Sequence, residues 1–512
     1  MKTKSRFRCK KSVMRELSTL LALFIVFSRA GAIPIGRLDT EVANLFLREL
    51  YMRGKISGGQ ALFLPTEIGY HDKTSHSAET DKYLWQPISL KSQRYAAADQ
   101  VLRVNLTAVG HGHFGKDFNK AYWQLFPGLT YGISKNIGVR LEYRIDSQLT
   151  GNPDYLGKKW NGWAGYAETA TAGYVTNRVS IEVGRRRTGW AMGRRSGSLF
   201  ISESAMPMDG LFVRYRLNDR AELAWITSFL SPITDPAGLP MPENRYLSAH
   251  ALVVSPFRWC DIMLKEAVVY GGLGRRPELY YAFPLLWYHA EQLNENRDDN
   301  TFIGLGAVLK RTDRAAVYFD FLIDDLQIEN RTASDREPSE YGFSGGVCLF
   351  DFPVNTTNLE LTYDHIRNRT YNQICPYNRY ENEGIPIGDS LGPDHDRFGV
   401  FYDWHISDLL FLTASVTFQR RGEGRLTGEW TTPWLESPDY REDFPSGIVE
   451  KTATANLTLI AQKNNRWQSK LALEYVDIKN DKNIRGIDRR AWRLYYGFVC
   501  DLPQLSWRID DE

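Results

Sequence analysis

The chain has 512 residues, with 63 Lys/Arg against 61 Asp/Glu and a formal net charge of +2. That length allows several soluble domains or one large barrel, and the near-neutral balance excludes a general nucleic-acid binder. Its five cysteines are widely scattered, against a disulfide scaffold, and show no C-x-x-C spacing for zinc.

In chain order, "MKTKSRFRCKKSVMRE" is a basic start and "LSTLLALFIVF" (Leu17–Phe27) is apolar but too short to span a bilayer. "AGA" (30–32) supplies a small-x-small cleavage pattern, so 1–32 reads as a secretory signal peptide. Removing it leaves 55 basic against 60 acidic residues. No cysteine follows the signal to carry a lipid, and no later run of 18 apolar residues offers a transmembrane helix. A membrane location would therefore require a closed β-barrel.

Residues 33–94 read as a periplasmic N-terminal segment. Its helix covers 37–53, with Leu38, Val42, Leu45 and Phe46 on one stripe. Asp39 or Thr40 caps its start and Gly54 stops it. From 95 to 500 the period changes to two. In "IGVRLEYRID" (137–146), Ile137, Val139, Leu141, Tyr143 and Ile145 face one way, and Arg140, Glu142, Arg144 and Asp146 the other. About eighteen such runs occur, from 97–110 to 487–500, an even number as bacterial barrels require.

Connections alternate in length. Short ones are "SKN" (134–136), "TN" (176–177), "ND" (218–219), "TD" (312–313), "SD" (407–408) and "KNN" (463–465). Long ones cover 149–161, 188–210, 231–245, 271–300, 328–339, 370–396 and 421–449. Tight periplasmic turns and long extracellular loops give an outer-membrane barrel this layout. The fold class is all-β: a transmembrane antiparallel β-barrel with a short helical periplasmic N-terminal segment. Residues 501–512 read as a tail.

An Arg or Lys at the lipid midplane costs roughly 2–4 kcal/mol. Arg140, Arg144, Arg214 and Arg216 must therefore face the lumen, where Glu142, Asp146, Glu182 and Glu266 can pair with them. The segment "GRRRTGWAMGRRSGSLFISESAMPMDG" (184–210) leaves the alternation. It has no P-loop pattern. Gly189, Gly193 and Gly197 allow it to fold into the barrel mouth. One reading is an internal salt-bridge network. The other is a binding surface for an acidic glycan: Arg186, Arg187, Arg194 and Arg195 lining the outer mouth, with Trp190 stacking on a sugar. Trp287, in aromatic-rich "PELYYAFPLLWYH" (277–289), joins this set, although those rings can equally pack the loop onto the barrel.

Other chemistry is weaker. "HGH" (111–113) puts two imidazoles on one side but lacks a third ligand, so no metal is expected. In "YDH" (363–365), Asp364 and His365 point to opposite faces. Ser202 and Ser204 have no identifiable base. No catalytic residue and no cofactor is expected.

The arginine segment resembles the Gly-Arg…Trp-x-x-Gly…Gly-Ser-Leu…Ser-x-x-Ala-x-Pro segment of the capsule assembly Wzi family. "NRYLSAH" (244–250), "EAVVYGGLGRRPELYYAFPLLWYHAEQLNEN" (266–296), "FLIDDLQI" (321–328) and "GDSLGPD" (388–394) follow in the family's order. The resemblance covers nearly the whole mature chain. It implies an eighteen-stranded barrel of the Gram-negative outer membrane that binds capsular polysaccharide without catalysis. The implied partners are an acidic capsular polysaccharide or exopolysaccharide, outer-membrane lipid and the barrel-assembly machinery, and no nucleic acid. The alternative is a diffusion porin with an arginine-lined constriction. Where the family often has Trp-Gly-Pro-Gly, this chain has "WAMG" (190–193).

Overall fold

The computed structural model describes residues 101–508 with short breaks, preceded by Leu45, 47–55 and Phe63–Leu64. The expected signal peptide and most of 33–94 lie outside the described residues.

Eighteen long strands form one wall. They are β1 (Val101–Gly115), β2 (Phe118–Gly132), β3 (Ile137–Asp146), β4 (Ala164–Val175), β5 (Val179–Arg186) and β6 (Met208–Asn218). Then come β7 (Ala221–Leu230), β8 (Glu243–Phe257), β9 (Cys260–Leu273), β10 (Asn300–Thr312), β11 (Ala315–Asp325) and β12 (Glu340–Phe350). The last are β13 (Thr357–Ile366), β14 (His395–His405), β15 (Leu410–Arg421), β16 (Glu450–Lys463), β17 (Trp467–Lys479) and β18 (Arg489–Asp501). Each of the eighteen expected runs coincides with one of them. Neighbours in the chain pair antiparallel, and β18 returns to β1 to close the barrel. No described helix is long and apolar enough to cross a membrane.

The seam is longer than β18 alone. Thr107–Gly115 pairs with β18, and a further short strand, β19 (Leu505–Arg508), pairs with Val101–Val104. Part of the expected tail therefore belongs to the wall. The reason is length: the 15-residue β1 reaches beyond the end of β18. Leu502 N–H bonds to Leu106 O at 3.0 Å across the break. Trp507, half exposed, gives this end of the wall its aromatic residue.

Side-chain parity sorts the wall into two faces. On β3, Ile137, Leu141 and Tyr143 are exposed outward while Glu142 and Asp146 are buried inside. On β5, Ile181 and Val183 are exposed and Ser180 and Glu182 buried. The turns after β2, β4, β6, β8, β10, β12, β14 and β16 lie at one end, which the short-turn rule makes periplasmic. Phe257 and Trp259 stack there, rings 5.0 Å apart, as part of an inner aromatic girdle.

The N-terminal helix, expected in the periplasm, is described over 47–52 and lies inside the periplasmic end of the lumen. Gly54, at φ 71, ends it as expected; this left-handed geometry favours glycine. Arg53 reaches the turn before β13, bonding Asp351 at 2.9 Å and Asn358 at 3.0 Å. Tyr51 donates to Asp261 at 2.6 Å, and Lys310 binds the same carboxylate at 2.6 Å. Leu50 packs with Val109, Phe126, Phe411, Ile460 and Val499 of the wall. Docking is driven by burying this apolar face and pairing the helix charges with those of the wall and of the segment between β5 and β6.

Candidate functional site

The arginine segment leaves the outer end of β5 and turns inward. Trp190, Phe200 and Ile201 are buried, in one apolar cluster with Met192, Leu199 and the wall residues Leu247, Ala267, Val269 and Phe302. Trp190 N–H donates to Ile201 O at 2.7 Å, closing the segment on itself. Two glycines on the lumen face of β10 admit it. A Cβ at Gly306 would lie 2.7 Å from Met192 Cγ, and one at Gly304 would overlap the Phe200 ring. Gly304→Val should therefore displace Phe200 and destabilise the segment by about 1–3 kcal/mol, the usual cost of overpacking. Chemical denaturation of refolded protein measures this; an unchanged midpoint would mean that Phe200 is not seated in the notch.

The segment's tip runs down to the periplasmic half of the lumen. Arg194 Nε bonds Glu360 at 3.1 Å, an Nη bonds Asp403, and Nη1 lies 3.6 Å from Glu49 of the N-terminal helix. Arg195 also pairs with Asp403 and lies 3.2 Å from Thr413 Oγ1. Arg48 of the helix pairs with Glu203, on the segment's return path. Burial pushes the Glu49 carboxyl up, but His405 at 3.5 Å, with Arg194 and Arg53, outweighs it and holds Glu49 well below the usual carboxylate range. Burial lowers Arg194, and the facing Asp403, Glu360 and Glu49 outweigh this and raise it further above its ordinary value. Helix, segment and wall thus share one desolvated charge network. A second link ties the N-terminal part to the segment: Phe63 and Leu64 pair as a strand with Trp190 and Gly189.

From the outer side, the loop after β13 closes over the segment. Tyr371 donates to Leu199 O at 2.7 Å, and Ser202 N–H donates to Ile387 O at 2.7 Å. Tyr371, Tyr380 and Ile387 are fully buried there. The loop after β15 locks on in turn: Asp394 accepts from Gly424 N–H at 2.8 Å and Ser446 N–H at 2.9 Å.

These placements correct several expectations. Arg194, 2% exposed, is not on the outer mouth, and Trp190, 1% exposed, stacks on nothing external. The small residues of the segment let it descend, and the wall carboxylates Glu360 and Asp403 draw the guanidinium groups down. Arg186 pairs with Glu182 inside the wall. Arg187 holds Glu168 at 2.6 Å and the carbonyl of Ala205. Trp287 alone of the six is exposed, on the outer flank of the wall.

The wall pairs are local. Arg140 lies 3.6 Å from Glu142, Arg144 is 2.7 Å from Asp146, and Arg214 is 2.7 Å from Glu222. Arg216 is half-buried on the same lumen-facing row as Arg214. Glu266 is the exception: it faces outward. Its neighbours in parity, Val268 and Tyr270, lie opposite to the lumen-facing Lys265, Ala267 and Val269. The sequence reading missed Glu49, Arg53, Asp261, Lys310, Glu360 and Asp403, and the buried lumen pair of Lys265 with Asp320. Among the described residues no three His, Cys, Asp or Glu side chains gather as a metal site, and Cys260, Cys348 and Cys375 are free thiols.

The family described as capsule assembly protein Wzi matches residues 110–491. The chain belongs to that family. No curated protein matches it. Among solved structures, Wzi of Escherichia coli is described as an outer membrane protein involved in group 1 capsule assembly and a carbohydrate-binding β-barrel. It superposes with a TM-score of 0.59 at 13% identity, over 92% of this chain and 99% of that one. OprD of Pseudomonas aeruginosa gives a TM-score of 0.47 at 9% identity, over 80% and 98%. OccD3 of the same organism gives 0.46 at 11%, over 78% and 92%. This Wzi-family chain is an outer-membrane protein, and its long-loop end faces the outside of the cell.

Proposed function

We propose that this Wzi-family barrel binds an acidic capsular polysaccharide or exopolysaccharide on its outer face and helps to anchor it there, without catalysis. One observation carries the reading. The arginine segment, the N-terminal helix and the loop after β13 fill the lumen, and the guanidinium groups are spent on internal carboxylates. A diffusion porin needs that space for solute. The proposed partners remain the glycan, outer-membrane lipid and, during biogenesis, the barrel-assembly machinery.

With the inner arginines committed, glycan contact falls to the exposed outer rim. The hairpin between β3 and β4 presents Lys158, Lys159 and Trp160, with Trp160 56% exposed. Cations beside an aromatic face suit a uronate sugar: charge attraction to the carboxylate and stacking on the ring. Refolded protein on an array of acidic and neutral glycans tests this. Binding is expected to acidic glycans and to fall with added salt, because exposed charges are screened beyond about 8–10 Å. The double variant Lys158→Ala, Trp160→Ala should weaken it several-fold while heat-modifiable folding is kept. Absence of any glycan binding, together with large ion conductance in planar bilayers, would return the protein to the porin class.

A further inference from the structure

The segment 274–299, between β9 and β10, does not fold into the lumen as the arginine segment and the loop after β13 do. On β8 and β9, Leu247, Ala267 and Val269 face inward onto the arginine segment. The opposite row should meet lipid. Instead Tyr246, Val268 and Tyr270 are buried, in one cluster with Tyr281 and Tyr288. Tyr281 packs on Tyr270 with ring centroids 4.9 Å apart, and Tyr288 lies 4.5 Å from His250. The outward carboxylate of Glu266 accepts Tyr288 N–H at 2.9 Å and His289 N–H at 2.8 Å, capping the helix Tyr288–Glu295. Arg275 bridges Asp299 at 2.9 Å and Glu278 at 2.7 Å, so the segment's root is pinned. The segment therefore folds back down the outside of the wall.

Its height is fixed by Glu266, six residues above Cys260. At ~3.4 Å per residue and a tilt of ~40°, that is roughly 15 Å above the periplasmic end. Counted from the inner girdle at Phe257 and Trp259, an apolar band about 25 Å tall includes this level. The face turned away from the wall carries Leu279 at 86% exposure, Phe283 at 57%, Leu285 at 74%, Trp287 at 62% and Leu293 at 66%. This face continues the lipid-facing row of the neighbouring strands, Leu264 and Leu305.

We propose that segment 274–299 is an outer-leaflet anchor. Its inner face seals the wall over β8–β10, and its outer face sits among the lipid acyl chains and headgroups of the membrane's outer layer. Continuity with the barrel's lipid surface selects lipid over a protein partner. The inference stands apart from the glycan reading, because it places Trp287 in lipid whatever the outer rim binds.

A photoreactive benzoylphenylalanine at Phe283 or Leu285, in full-length protein in isolated outer membranes, tests it. Irradiation should give lipopolysaccharide or phospholipid adducts at both positions, and none from the same probe at Lys158. Adducts to a second copy of the chain or to another protein would overturn the proposal, as would the absence of any adduct at both positions in folded protein. Leu285→Asp supplies a second readout. Its urea midpoint should drop in lipid vesicles, whereas an unchanged midpoint there would mean that this face meets water.

Discussion

Replacing Arg194 with alanine should open the periplasmic half of the lumen. Arg194 is 2% exposed and holds Glu360, Asp403 and Glu49 together. Truncating one member of a buried charge cluster leaves its desolvated carboxylates under-compensated, at a cost of up to about 3–5 kcal/mol. Arg195 stays on Asp403, and Arg53 stays on Glu49 at 3.1 Å, so the wall itself survives. The lost pairing falls on the joint between helix and segment, where Arg194 links Glu49 to the wall. The expected results are a rise in single-channel conductance and new protease sensitivity near Arg48 and Arg53. Arg194→Lys should lie between the two proteins, since it keeps the charge but loses the planar fork. Conductance unchanged by Arg194→Ala would show that the plug is held by its apolar contacts alone.

Arginine placed at Leu141 should cost roughly 2–4 kcal/mol, the range for a cation at the lipid midplane. Leu141 is 47% exposed in the middle of β3, and its side chain faces outward. Arg140, its neighbour, lies inside and 22% exposed beside Glu142, so Arg140→Ala should cost much less. Urea unfolding in lipid vesicles measures both. Equal effects would mean that the two faces of β3 have been exchanged.

The wall was legible because lipid on one side and polar groups on the other enforce a period of two. Arg140, Glu142, Arg144 and Asp146 repeat with Leu141 and Tyr143 between them, and one strand of this kind fixes its own facing. The plug was not legible, since no periodicity marks where a loop turns. Arg194 and Trp190 look like surface chemistry in sequence because guanidinium and indole serve equally in a binding face and in a buried joint. The difference lies in Glu360 and Asp403, more than 160 residues away. Glu266 was assigned inward on charge alone. Its neighbour Lys265 carried the contrary signal, because adjacent strand residues cannot both face the lumen. The notches at Gly304 and Gly306, alternate residues of a strand, were a readable sign of something packed close against β10.

The strand pairing of Phe63–Leu64 with Gly189–Trp190, and the clasp of Arg53 on Asn358, bear on the order of events in biogenesis. Arg53 is made early in synthesis, and the residue it clasps follows 305 positions later. A cylinder zipped shut first would have to be threaded by its own leading end. The zip is the junction of β1 with β18 and β19, and receiving the leading end before it forms avoids that threading. Until then the sheet is an open trough with two bare edges, each a template for wrong pairing. Contacts this distant in sequence form slowly. If capture of the leading end precedes closure, a chain truncated before β1 should persist as an unclosed, protease-sensitive intermediate.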